Sequence, residues 1–121
     1  MSHTYSRTKA LLENFSKAFE DADEVILHKI YGSARESEGN VGNNGKTLDE
    51  EFFELTQASH KNVKYFCEVK DATSYVVQRL CKKAEDNKDG YLFITMGAGD
   101  NWKLTNYVLE ELKIKDIIKA Y

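Results

Sequence analysis

The 121-residue chain contains no proline at all, where average sequences carry about 5%, so its breaks must be made by glycine and by capping residues. Cysteine is nearly absent too. Cys67 and Cys81 lie far apart with no C-x-x-C spacing, which excludes a zinc ribbon or a dithiol redox motif and leaves two reduced, buried thiols as the expectation. There is no excess of positive charge: the net charge is -3 and no basic stripe is visible, so nucleic acid and anionic membranes are not expected as partners. No apolar run approaches the roughly 20 residues that span a bilayer, and the segment Met1-Ser2-His3-Thr4 lacks the apolar core of a secretion signal. The expectation is a cytoplasmic protein. The glycosylation-like triplet Asn14-Phe15-Ser16 is discounted on the same ground, and no internal repeat or low-complexity tract is present.

What remains is 41% hydrophobic residues in a length that suits one domain, 1–121. From Thr8 to Ala22 the apolar residues Leu11, Leu12, Phe15, Ala18, Phe19 and Ala22 recur at helical spacing, which predicts one continuous amphipathic helix. Val25 to Tyr31 reads as a short buried strand ending at Gly32, and 33–46 is a polar loop. Thr47-Leu48-Asp49-Glu50 is a capping-box pattern, opening a helix with Leu48, Phe52 and Leu55 on its apolar side. Val63 to Cys67 is a second strand. Asp71 is expected to cap a helix that buries Val76, Val77, Leu80, Cys81 and Ala84. Asn87 to Gly90 is a turn, Tyr91 to Met96 a third strand, and Asn101 to Lys113 a last helix, with Ile114, Ile117 and Ile118 packing as its final turn.

This helix-strand alternation predicts an α/β fold, a three-layer Rossmann-like sandwich with a mainly parallel sheet. Such a fold normally begins with a strand, whereas this chain begins with a helix. Its first strand is therefore expected to be missing, leaving an unpaired sheet edge through which copies could associate.

Two segments carry candidate chemistry. His3-Thr4-Tyr5-Ser6-Arg7-Thr8 opens the first helix with hydroxyls, a histidine and an arginine. Cationic side chains are disfavoured at the positive end of a helix dipole by a few tenths of a kcal/mol, so Arg7 makes sense there with an anion between it and the free N–H groups. The bland alternative is an ordinary helix start with Ser6 or Thr8 as N-cap. Thr95-Met96-Gly97-Ala98-Gly99-Asp100 leaves the third strand through two glycines that let a ligand approach the backbone, with Asp100 or Asn101 as helix cap. It reads equally as a structural turn. In an open parallel sheet both segments fall on one edge, where anions are held.

Other motifs are weaker. Gly42-Asn43-Asn44-Gly45-Lys46-Thr47 imitates the end of a phosphate-binding loop, but Asn40 stands where the first glycine belongs and the loop does not leave a strand directly. His28 and His60 have no carboxylate or cysteine partners at ligand spacing and are read as structural, and Glu50, Glu51 and Glu54 as a solvated face. No metal site is expected.

His3 to Leu12, Ala22 to Leu27, Ile30 to Glu36 and Thr95 to Asp100, taken together and in that order, closely resemble the C-terminal domain of the Mur ligase family, in its branch that uses L-alanine. The resemblance covers almost the whole chain. It implies part of an ATP-dependent amide ligase of peptidoglycan synthesis that joins L-alanine to UDP-N-acetylmuramate through an acyl phosphate. It further implies that His3 and Arg7 bind the L-alanine carboxylate, with Thr4 standing where relatives often have arginine. Gly97, Ala98, Gly99 and Asp100 would form the facing wall. The family's N-terminal UDP-binding domain and central ATPase domain are missing from this sequence. ATP and magnesium therefore belong to the full-length enzyme, the fragment alone is expected to be inactive and to bind no cofactor tightly, and no catalytic residue is assigned to it. The alternatives are a non-catalytic small-acid or nucleotide-binding module and, less favoured, a flavodoxin-like or response-regulator domain.

Overall fold

A computed structural model describes residues 5–30, 45–86, 90–97 and 99–115. These form an α/β structure in two compact units, one comprising residues up to Cys67 with Gly97–Gly99, the other Glu68–Met96 with the chain from Asp100 onward.

In the first unit the order is α1 (Tyr5–Ala10), α2 (Leu12–Ser16), β1 (Val25–Leu27), α3 (Leu48–Ser59) and β2 (Val63–Tyr65). The two strands are parallel, with Val25 opposite Val63 and Leu27 opposite Tyr65. Parallel neighbours need a crossover, and α3 lies in the connection between them. Pairing continues past both strands through the Phe66 N–H to Leu27 oxygen bond (2.9 Å) and the Lys29 N–H to Cys67 oxygen bond (3.4 Å). The core is built from Val25, Leu27, Phe52 and Val63, with Leu12, Phe15, Phe19, Phe53 and Tyr65 packed against it. The strands thus stand where the alternation of sequence put them, though shorter than expected.

The capping box at the start of α3 forms as the sequence predicts. Thr47 Oγ1 accepts from the Glu50 N–H at 3.2 Å, and Glu50 Oε2 accepts from the Thr47 N–H at 3.0 Å. Between the two, Asp49 Oδ1 accepts the Ile30 N–H at 2.7 Å and so ties the chain leaving β1 to the first turn of α3.

The first helix differs from expectation. It begins at Tyr5 rather than Thr8, so Thr8 is buried inside α1 instead of capping it. At Leu11 it bends, although the hydrogen-bond ladder runs on through Leu11 N–H to Arg7 oxygen and Phe15 N–H to Leu11 oxygen. It then stops at Ser16 rather than Ala22. There Ser16 Oγ donates to the Glu13 carbonyl at 2.8 Å, sharing the acceptor that Lys17 N–H would use in a continuing helix. Beyond it the chain tightens into i→i+3 turns, Ala18 to Phe15 and Ala22 to Phe19.

The second unit holds a 3₁₀ turn (Val69–Ala72), α4 (Thr73–Asp86) and α5 (Asn101–Ile114). Asp71 lies within the 3₁₀ turn, its N–H bonded to the Glu68 oxygen, and does not cap the helix. The apolar face expected of α4 is realised in buried Val76 and Val77, while Cys81 is half-buried. Cys67, in the first unit, is exposed rather than buried. The two helices pack on each other and on the 3₁₀ turn through Ala72, Leu104, Val108 and Leu112.

Residues 91–96, expected as a third strand, join no sheet among the described residues. Leu92, Ile94 and Met96 alternate toward solvent at 84%, 60% and 61% exposure. Their spacing has the period of a strand, but a strand exists only when a neighbour accepts its ladder. Ile114 likewise is 83% exposed rather than packed as a last turn, and Ile117 and Ile118 lie outside the described residues. Among the described residues the sheet is thus two-stranded.

Candidate functional site

Arg7 is the third residue of α1 and is exposed. The helix has six residues, so Arg7 stands in its last turn as well as its first, and the hydrogen-bond ladder continues behind it through Leu11 into α2. His3 and Thr4 lie outside the described residues, as does Ala98. Gly97 and Gly99 share the compact unit of α1, whereas Asp100 belongs to the second.

The backbone at the glycines explains their identity. Gly97 has φ 124° and Gly99 φ 76°, conformations that side-chain-bearing residues rarely adopt. Asp100 immediately precedes α5, but its carboxylate makes no capping bond; it pairs with Lys103 at 3.0 Å. Asn101 is the first residue of α5 and stands one place past the cap position; its Nδ2 donates to the Met96 carbonyl at 2.9 Å. Thr95 and Thr105 hydroxyls meet at 3.0 Å, which anchors the chain before the glycine turn onto α5 within the second unit.

The Gly45-Lys46-Thr47 segment is committed elsewhere. Thr47 caps α3 and the Lys46 ammonium pairs with Glu54, a hydrogen bond that raises the lysine above its ordinary value of 10.5. Gly45, at φ 76°, turns the chain into that cap. A triphosphate cradle does not fit this arrangement, because the cation and hydroxyl it requires already have partners. Gly42 to Asn44 lie outside the described residues. Among the described residues no group of three or more His, Cys, Asp or Glu side chains is placed to hold a metal ion, and no helix is long and apolar enough to cross a membrane.

His28 is buried just past β1 and donates from Nδ1 to the Phe66 carbonyl at 3.2 Å, a structural role across the two strands. Sequence reasoning missed an open cleft of about 290 Å³ lined by Ser16, Lys17, Phe19, Glu20, Ser59 and His60. Its two walls are about 40 residues apart in sequence, so no local pattern announces it.

No family model matches the chain and no solved structure is significantly similar to it. Curated relatives, however, cover most of its length. It is 47% identical over 116 residues to a UDP-N-acetylmuramate–L-alanine ligase of Treponema pallidum (strain Nichols), which takes in 93% of this chain and 22% of that protein. Proteins of the same name from Borreliella burgdorferi and Desulfitobacterium hafniense (strain Y51) are 35% and 34% identical, over 89% and 84% of this chain. The relatives that the chain matches are Mur-type ligases. More narrowly, they carry the name UDP-N-acetylmuramate–L-alanine ligase, and the chain spans about a fifth of their length.

Proposed function

We propose that this chain belongs to the C-terminal domain of a MurC-type, ATP-dependent ligase that joins L-alanine to UDP-N-acetylmuramate in cytoplasmic peptidoglycan synthesis, and that its own part is to seat the amino acid. The observation that carries this reading is the 47% identity over 93% of the chain to a protein of that name. His3 and Arg7 are the groups for the L-alanine carboxylate, Thr4 lies between them, and Gly97, Ala98, Gly99 and Asp100 form the opposing wall. Arg7 is exposed, and its guanidinium suits a bidentate carboxylate contact. The positive φ values of Gly97 and Gly99 leave a backbone without side chains, which lets a small zwitterion approach it closely.

ATP and magnesium, when bound in the complete enzyme, supply the acyl-phosphate activation of the muramate carboxylate. The one phosphate-loop-like stretch here is tied into the start of α3, so the chain's contribution is to orient the amine nucleophile and exclude water around it. The alternation of Leu92, Ile94 and Met96 supports a fuller three-layer sheet in the complete enzyme, in which 91–96 becomes a strand. Without that sheet, the same apolar row is a route to self-association of the fragment.

The test is to join the chain to the upstream domains of the Treponema pallidum relative and follow L-alanine-dependent ATP hydrolysis with UDP-N-acetylmuramate. Arg7→Ala is expected to raise the L-alanine concentration for half-maximal rate at least tenfold, the scale of one charge-assisted contact worth about 1.5–3 kcal/mol. An unchanged requirement would remove Arg7 from the site. A chimera that binds L-alanine but never hydrolyses ATP would favour a non-catalytic binding module.

A further inference from the structure

We propose that His60 is a proton-sensitive latch of the first unit, closed only while its imidazole is neutral. His60 ends α3, its own N–H bonded to the Thr56 carbonyl at 2.9 Å. Its ring has a partner at each nitrogen: Nε2 lies 2.6 Å from the Ala22 carbonyl oxygen, and Nδ1 lies 3.0 Å from the Asn62 backbone nitrogen. A carbonyl can only accept and a backbone N–H can only donate. Nε2 must therefore carry the hydrogen and Nδ1 the lone pair, so the two partners select one neutral tautomer.

Adding a proton puts a second N–H on Nδ1, pointing at the Asn62 N–H. The bond to Asn62 is then lost and replaced by a donor facing a donor, while the bond to Ala22 survives. Asn62 is where this matters. Its side-chain Nδ2 donates to the Asp23 carbonyl at 3.1 Å, and its own carbonyl accepts the Val25 N–H at 2.9 Å, at the first residue of β1. One residue thus joins the segment entering β1 to the turn entering β2, and His60 holds that residue. Protonation loosens the point from which the parallel ladder starts.

The charged groups around the ring are Lys17 and Glu20 in the same cleft, with Asp21, Asp23 and Lys61 beside the pinned backbone positions. Three are acidic and two basic. The switch rests on the direction of the two hydrogen bonds at the ring.

The experiment uses the 121-residue chain labelled with nitrogen-15. At about pH 7.5 the ring of His60 is expected to show the Nε2–H tautomer. Lowering the pH to about 5 is expected to reduce amide-exchange protection at Asn62 and Val25 about three- to tenfold, the span of one net hydrogen bond. In His60→Gln that pH-dependent loss should disappear. An Nδ1–H tautomer at neutral pH overturns the proposal, and this reading needs no variant to fold. So does an undiminished loss of protection at Asn62 in His60→Gln.

Discussion

Replacing Thr47 by alanine isolates the contribution of the capping box. Thr47 Oγ1 accepts the Glu50 N–H at 3.2 Å, and the Glu50 carboxylate returns the bond to the Thr47 N–H at 3.0 Å. The alanine variant loses the first bond outright and weakens the second, because Glu50 is then held from one side. Loss of an N-cap costs about 0.5–2 kcal/mol. Both bonds here are exposed, so water replaces part of what is lost and the expected cost is about 1 kcal/mol. Fraying is opposed by Leu48, which is fully buried in the first turn, and by the Asp49 bond to Ile30. For a domain of this size the melting temperature should fall by about 4 °C. Thr47→Ser, which keeps the hydroxyl, should lie within a few tenths of a kcal/mol of the parent, and Glu50→Ala combined with Thr47→Ala should cost less than the sum of the two. Urea unfolding followed by far-ultraviolet circular dichroism is the appropriate assay, since the single tryptophan, Trp102, sits in the second unit and reports on α5. A Thr47→Ala variant as stable as Thr47→Ser would refute the reasoning.

Three further outcomes follow from the geometry. Thr73 is 6% exposed and its hydroxyl has no hydrogen-bond partner among the described residues, so Thr73→Val should stabilise the second unit by about 1 kcal/mol in urea unfolding followed by Trp102 fluorescence; destabilisation would show that the hydroxyl has a partner. Leu27 is buried to 1% exposure in the core of the first unit, and Leu27→Ala should cost about 2–5 kcal/mol by circular dichroism, with a smaller loss marking a site that collapses to fill the space. The hydrogen bond from Glu54 raises the Lys46 ammonium above 10.5, so its stabilising effect is fully present below that value and is lost as pH rises through the higher folded value. Because the pair is exposed, unfolding at pH about 9 and about 11.5 should reveal only a small step, reduced by salt and abolished in Glu54→Gln.

The fold was legible wherever a short-range pattern has a short-range cause. The capping box, the apolar faces of α4 and α5 and the two parallel strands are of this kind. The candidate site was legible only as residue types. Arg7, Gly97 and Gly99 could be picked out in the sequence, and their backbone placement is now visible, but Asp100 was expected as a cap and instead holds Lys103. Both pairings leave the aspartate with a partner, and the choice between them depends on how the chain enters α5.

By itself, then, the amino-acid order determined where helices and strands can start, because capping, helical periodicity and strand alternation act over a few neighbouring residues. It also determined the resemblance to ligases of that name, since 47% identity extends over 93% of the chain. Only tertiary structure decided which candidates became real. The row Leu92–Ile94–Met96 joined no sheet among the described residues, and His60 acquired one tautomer from partners 38 residues behind and 2 ahead. The reason is common to both: a strand ladder and a fixed ring each need a partner from elsewhere in the chain, and that is set by how the chain packs.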